Sequence, residues 1–391
     1  MTGPAGRPAD AEWVPLLVPD MPTPEELAPY LARMHAQRHY TNFGPLVQEL
    51  EAAFARRFAL PVEQLTTVAN ATQGLELALQ ALDLPPGSNV LVPAFTFVAT
   101  ATAVIRAGHR PVLCDVDAQS WMTTPAIARA ACEQVRIDAA MPVATFGMPH
   151  AMQEWQRFEQ DTGVPVIIDA AAAYGSQWLH GAQGTLVFSL HTTKSLPAGE
   201  GGLVVSTRPG LAARVRQLSN FGINLGTESG IPPGALASLG TNAKMSEYHA
   251  AIALISLSKW EHAAHIRRAL QANLMHEFQA VSGGCLQWQQ EAGGGPQMAP
   301  TLLCARLPSA TARDALERAC QQACIMTRRW YQPLLTQMRV LQPYCSWLAT
   351  PHSEDLRRTL LGLPFFPDIT PEHRARIGAV WRRAETSDVR V

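Results

Sequence analysis

Apolar residues recur at helical spacing from position 45 to 58, in PLVQELEAAFARRF. A regular rhythm follows, in which short apolar runs alternate with longer amphipathic stretches. The short runs predict strands over 65–68, 89–92, 111–114, 139–143, 165–168, 185–190 and 203–206. The intervals predict helices over 74–82, 98–107, 125–135 and 151–162. This alternation implies an α/β fold with a mostly parallel sheet and helices on both faces, since parallel strands need crossover connections. Ligands of such sheets sit outside the carboxyl ends of the strands, so chemistry is sought there.

The remaining segments suggest how the chain is organised. Residues 1–24, rich in Pro, Gly and Ala, read as an extended lead-in. The stretch 221–242 reads as a long loop, and loops of that length commonly carry function. Helical character covers 246–278, broken by a charged turn at 259–261. Gly293–Gly295 marks a boundary, beyond which strands over 301–305 and 325–330 and helices over 310–323 and 371–384 predict a smaller α/β domain. The division expected is a large domain over 25–278 and a small one over 279–391.

Composition narrows the function classes. The 391 residues are 47% hydrophobic and 16% charged, which fits a packed globular enzyme. With 31 basic and 32 acidic side chains the net charge is −1, so no basic surplus draws the chain to nucleic acid or an anionic membrane. Seven scattered cysteines with no CxxC pair indicate neither a disulfide framework nor a zinc site, and no metal is expected. No secretory signal and no apolar run of spanning length is read, so the expected compartment is the cytoplasm.

Three segments carry candidate chemistry. In HTTKSLPAGEGGLVV, Lys194 follows an apolar strand and precedes Gly199, Gly201 and Gly202. It is either a surface loop lysine or a Schiff-base lysine, which needs partial desolvation to lower its pKa. In VPVIIDAAAAYG, Asp169 ends an apolar strand, where a carboxylate must find a partner. A pyridinium nitrogen is one partner; the alternative is a helix N-cap before the alanines. In TTVANATQGLELAL, a strand runs through small polar residues into a helix. That start favours a bound phosphate, or is an ordinary capped helix.

NATQGL (70–75), VPAFTFVATATAV (92–104), DVD (115–117), IIDAAAAYG (167–175), FSLHTTKSLPAGEGG (188–202) and GTNAKMSEYHAAI (240–252) together resemble the DegT/DnrJ/EryC/StrS family of sugar-nucleotide aminotransferases. The likeness continues in FGPLVQELEAAFARRF, TRRWYQPL and LPFFPDITPEHRARI, and so spans nearly the whole chain in the family's order. It implies the fold-type I architecture of enzymes dependent on pyridoxal 5′-phosphate (PLP). It further implies that Lys194 holds PLP as a Schiff base and then moves the proton, that Asp169 pairs with the ring nitrogen, and that Phe97 covers one ring face. Thr72, Gln73 and Ser189 match the phosphate-binding positions. Asn242 matches an asparagine that reaches the phosphate of the other subunit, which implies a homodimer with shared sites. His191, Asn220 and Tyr331 are the candidates for substrate contact.

The chain also departs from the family pattern. Ala172 stands where the family's DAAQ has glutamine, which leaves room beside the ring, and Lys244 replaces the arginine of GxNxRM. Pro149-His150-Ala151-Met152 stands where an aspartate is common, without a reading from sequence. Lys194 is retained, whereas a histidine there turns family members towards dehydration. The resemblance therefore implies amino transfer from L-glutamate to a keto group of a nucleotide-linked (dTDP or UDP) deoxysugar, for a surface polysaccharide such as lipopolysaccharide or for a glycosylated metabolite. A PLP lyase, a non-transaminating regulatory protein and an aminotransferase for a cyclitol ketone are the alternatives.

Overall fold

The computed structural model describes residues 12–226, 230–290 and 299–386; the expected boundary at Gly293–Gly295 lies outside them. Helix α1 (Pro24–Gln37) starts at a Thr23–Glu26 capping box with proline at its first position, a start sequence reading passed over. Helix α2 (Pro45–Phe58) has Gly44 at its N-cap, with no side chain to offer. The buried carboxylate of Glu247 caps it instead, accepting from the backbone N–H groups of Leu46 (2.8 Å) and Val47 (2.9 Å). Gly44 makes that approach possible, because a Cβ there would lie 2.7 Å from the Glu247 carboxyl carbon.

The rhythm of the sequence then unfolds as β1 (Leu65–Val68), α3 (Ala71–Gln80), β2 (Asn89–Pro93), α4 (Val98–Arg106), β3 (Arg110–Cys114), α5 (Pro125–Gln134), β4 (Ala139–Ala140), α6 (Met152–Thr162), β5 (Ile167–Asp169), β6 (Thr185–Ser189), β7 (Gly202–Ser206) and α7 (Leu211–Ser219). Hydrogen bonding orders one group β1-β7-β6-β5, and parallel bridges at Ala140–Val166 and Val143–Asp169 join it to β4-β2-β3. Of these seven strands only β7 runs against its neighbours.

Successive residues of a strand face opposite sides, and both sides are buried. Leu203 and Val205 enter the core cluster on one face with Ile168, Leu186 and Phe188. Val204 enters the other with Ile167 and Val187. Helices α2 and α8 (Glu247–Ser258) pack in the first cluster, α3 and α4 in the second.

Helix α9 (Trp260–Val281) serves two cores: Ala264 packs in the first cluster, Leu274 and Phe278 in a third. That third core holds a small antiparallel sheet, β11-β9-β8, of β8 (Gln287–Trp288), β9 (Leu303–Arg306) and β11 (Leu360–Leu363). Around it lie α10 (Ala310–Gln322), α11 (Pro351–Thr359) and α12 (Pro371–Thr386). Strand β10 (Ser346–Trp347) returns to the large sheet beside β3. The strand expected over 325–330 is not formed: Ile325 and Arg328 make only isolated bridges, to Val14 and Gly362. The partner of β9 is β11, whose short LLGL sequence follows α11 without a turn signal.

Candidate active site

The carboxyl ends of β1, β2, β5 and β6 share one edge of the large sheet, and each delivers a candidate residue there. Strand β5 ends at Asp169, which is 4% exposed. No helix follows it, so the N-cap alternative falls; the carboxylate instead closes a short turn by accepting from Ala171 N–H at 3.1 Å. Its other oxygen accepts from the buried Thr100 hydroxyl on α4 at 2.8 Å. The Thr96 hydroxyl lies 3.0 Å from that of Thr100 and supplies the donor Thr100 needs in turn.

Lys194 sits in the loop after β6. Backbone bonds pin this loop on every side: Leu190 to Gly201, Thr192 to Gly199, Lys194 to His191 and Ala198 to Leu190. The Ser195 hydroxyl adds a bond to the carbonyl of buried Tyr174. The lysine keeps some exposed surface, but its amine makes no hydrogen bond or ion pair among the described residues. Burial pulls its pKa below the usual lysine range, and the charge of Asp169 opposes the shift. Burial likewise raises Asp169, while the bonds from Thr100 and Ala171 and the charge of Lys194 hold it back. A lysine and a carboxylate thus feel each other across one desolvated space without closing into a contact pair.

Phe97 is the N-cap of α4 and is 53% exposed, so one ring face is free for a ligand ring. At the end of β1, Asn70 caps α3 by accepting from Gln73 N–H at 2.9 Å, with Thr72 in the same first turn. Strand β7 passes close beneath this turn, since a Cβ on Gly202 would lie 2.8 Å from the Asn70 carbonyl carbon. Ser189, the last residue of β6, accepts from His191 N–H at 3.2 Å and is nearly buried. Free amide groups and the helix dipole at α3 suit a phosphate.

The remaining candidates are engaged by contacts within the chain. The His191 ring bonds Thr193 (2.9 Å) and lies 3.6 Å from Glu200. Asn220 and Asn242 pair through their backbones, and the exposed Asn242 side chain accepts from Lys244 Nζ at 2.6 Å. Tyr331 packs between Phe95 (5.2 Å) and Phe146 (5.5 Å, nearly parallel). Its phenol is pushed up first by burial, and further by the charge of Asp169. Sequence reading missed Thr100, although it lies three positions after Phe97; nothing in a single sequence pairs it with Asp169. Ala172 offers only its backbone here, its carbonyl accepting from the Thr301 hydroxyl at 3.0 Å.

A desolvated carboxylate, an unpaired lysine, an exposed ring and a helix start together fit a planar pyridine aldehyde carrying a phosphate. Solved structures share this fold. DesI, solved in the presence of its TDP-sugar product, is 27% identical with a TM-score of 0.80, over 94% of this chain and 92% of that one. A Bacillus cereus ATCC 10987 protein assigned as a PLP-dependent aminotransferase is 25% identical with a TM-score of 0.82, over 95% and 100%. A 3-amino-5-hydroxybenzoic acid synthase shares the fold, at 22% identity and a TM-score of 0.81 over 94% and 99%. The sequence model of the DegT/DnrJ/EryC1/StrS aminotransferase family matches residues 23–381, and the chain belongs to that PLP-dependent family of aminotransferases.

Proposed function

We propose that this aminotransferase carries the amino group of L-glutamate to a keto group of a nucleotide-linked (dTDP or UDP) deoxysugar, working in the cytoplasm as a homodimer with shared sites. The observation that carries the transfer reading is the Asp169–Lys194 arrangement at the ends of β5 and β6. PLP, when bound, supplies an electron sink for the bond broken at the donor's Cα. Every other task falls to the chain. Lys194, its pKa lowered by burial, holds the cofactor aldehyde and then moves the proton at Cα. Asp169, oriented by Thr100, keeps a proton on the ring nitrogen. Phe97 lies over one ring face, Thr72, Gln73 and Ser189 take the phosphate, and Asn242 of the second subunit adds a donor. His191, Asn220 and Tyr331 stay as candidates for substrate contact.

The likeness to DesI, solved with a TDP-sugar product, supports the nucleotide-sugar acceptor. The dimer is supported by apolar side chains left exposed around Asn242: Phe221, Leu236, Leu239 and Tyr248. No helix among the described residues is long and apolar enough to cross a membrane.

The test is a pair of half-reactions followed by visible absorbance. L-glutamate is expected to convert the PLP-loaded protein to its amine form, and a nucleotide ketosugar to return it. Return by a cyclitol ketone or an aromatic precursor, with every nucleotide sugar inert, would overturn the acceptor assignment. A loaded protein that L-glutamate leaves unchanged would overturn the donor.

A further inference from the structure

The connection between α7 and α8 is pinched together at its two ends. Asn220 and Asn242 pair as an antiparallel bridge. Beside them Phe221 N–H donates to the Thr241 carbonyl at 3.0 Å, and Gly240 N–H to that of Phe221 at 3.1 Å. Phe221 takes a φ of 61° in this pinch, a conformation unfavourable for an aromatic residue, and its ring is half exposed. Ala243, fully buried, ties the pinch to the residue that precedes the α3 cap. Its carbonyl accepts from Ala69 N–H at 2.7 Å, and its own N–H donates to Ser219 at 2.9 Å. The residues on either side of it turn their side chains together: Lys244 Nζ donates to Asn242 Oδ1 at 2.6 Å. The Phe221 ring holds the same ammonium from a second side, its centre 4.5 Å away. Lys244 pairs with no carboxylate among the described residues.

An ammonium has three N–H donors and no acceptor. The amide atom that it meets must therefore be the oxygen, which fixes the Asn242 amide in one of its two orientations. Nδ2 then presents its two donors away from Lys244, and it makes no hydrogen bond among the described residues. An amide free to turn offers an anion its oxygen as readily as its N–H groups. This one offers N–H groups alone. The cation also polarises the amide through the bonded oxygen, which strengthens those donors.

We infer that Lys244 is a positioning residue, which sets the Asn242 amide to donate to the cofactor phosphate. The inference rests on the placing of Asn242 at that phosphate and not on the identity of either substrate. Lys244 is not itself the phosphate ligand in this arrangement, because ring and amide already engage its ammonium.

The test compares two ligands that differ only in the phosphate. Full-length apoproteins are titrated with PLP and with pyridoxal, and binding is followed by visible absorbance. Lys244→Met keeps the alkyl stem and removes the donor. It should weaken PLP binding about three- to tenfold, the scale of losing one preorganised side chain, and leave pyridoxal binding at the wild-type value. Lys244→Arg keeps a cationic donor and should bring PLP binding back close to wild type. Added to Asn242→Ala, which is itself weakened for PLP, Lys244→Met should cost nothing more, since no amide is left to orient. PLP binding by Lys244→Met equal to wild type would overturn the inference. So would an undiminished effect of Lys244→Met on top of Asn242→Ala, which would put the ammonium on the phosphate directly. An equal loss for pyridoxal would show a general loosening of the loop, and would overturn it as well. Asn242→Ala that binds PLP as tightly as wild type would overturn the placing of Asn242 and the inference with it, an outcome read from that variant alone.

Discussion

The Thr100 hydroxyl donates to Asp169 Oδ2 at 2.8 Å, so a residue of α4 orients the carboxylate that ends β5. The two strands that deliver these residues, β2 and β5, are not neighbours; β4 lies between them. Parallel strands with their carboxyl ends on one edge make such a meeting possible, because every crossover helix begins on that edge. The same geometry brings Lys194, in the loop after β6, and Phe97, at the β2–α4 junction, to the same edge of the sheet. A carboxylate with both oxygens hydrogen-bonded holds its plane fixed for a partner on its remaining side.

Replacing Thr100 by valine keeps the shape and removes the donor. Burial already raises Asp169, and the Thr100 bond is the largest effect lowering it. Its loss should raise the carboxyl pKa further, so less of it is ionised at a given acidic pH. The acid limb of the kcat/KM profile should therefore move to higher pH, with a fall of roughly 10- to 100-fold, the scale of one charge-assisted bond. Asp169→Asn should cost about 3 kcal/mol or more of transition-state stabilisation with the fold retained, because an amide cannot hold a pyridinium proton. A Thr100→Val profile that superimposes on wild type would remove the positioning role.

Glu247 should matter to stability more than its place at the start of α8 suggests. It is fully buried and caps a different helix, α2, through two backbone donors. Glu247→Gln keeps one acceptor and turns an amide against the second N–H, so denaturant unfolding should show a loss of ~2 kcal/mol. Glu247→Ala should lose more, about 3–4 kcal/mol, by leaving both donors unmet.

These two contacts show what the sequence discloses and what it withholds. Asp169 stands out in the sequence because it ends a run of buried β-forming residues, where a carboxylate must find a partner, and Lys194 because it lies in the loop after such a run. The Asn70 cap is a local contact, with its bond partner Gln73 three residues away. Glu247 and Leu46 are 201 residues apart, and no local pattern joins them. The strand misread over 325–330 has the right apolar content. Its backbone meets only single partners in turn, Val14 and then Gly362, and so never forms a ladder.

His150 gives the fold a pH dependence. It is buried, its Nδ1 accepts from the Trp155 indole at 3.1 Å, and burial lowers its pKa to about 4 from 6.5. Between those values the unfolded chain binds a proton that the folded chain refuses, so stability rises with pH there. Above pH 6.5 both states are neutral and the effect vanishes. Acidification through this window should cost on the order of 3 kcal/mol from this residue alone. His150→Asn keeps an acceptor near Trp155 and cannot be protonated. Its melting temperature should fall less than that of the wild type between pH 7 and pH 4.5. Parallel falls in the two proteins would show that the acid sensitivity lies elsewhere.

The shared site is tested by mixing subunits. Asn242 is exposed, follows the loop that carries Phe221, Leu236 and Leu239, and is tied to Lys244 within its own chain. In a dimer that buries those apolar residues, the Asn242 amide becomes available to the phosphate site of the partner subunit. A neutral amide donating to a phosphate oxygen is worth about 1.5–3 kcal/mol. Asn242→Ala should therefore weaken PLP retention by roughly tenfold or more, while excess PLP restores the half-reaction. Lys194→Ala should be inactive at any PLP concentration, because no other amine occupies that place. Combined under subunit exchange at limiting PLP, the two variants form mixed dimers. One site then combines the lysine-deficient subunit with the asparagine-deficient one and carries both defects. The other draws its lysine from the Asn242→Ala chain and its asparagine from the Lys194→Ala chain, and is wild type. Activity should thus rise on mixing, towards one competent site per mixed dimer. Sedimentation as a monomer, or mixed dimers with no recovery, would confine Asn242 to its own chain and leave the roles of Lys194 and Asp169 untouched.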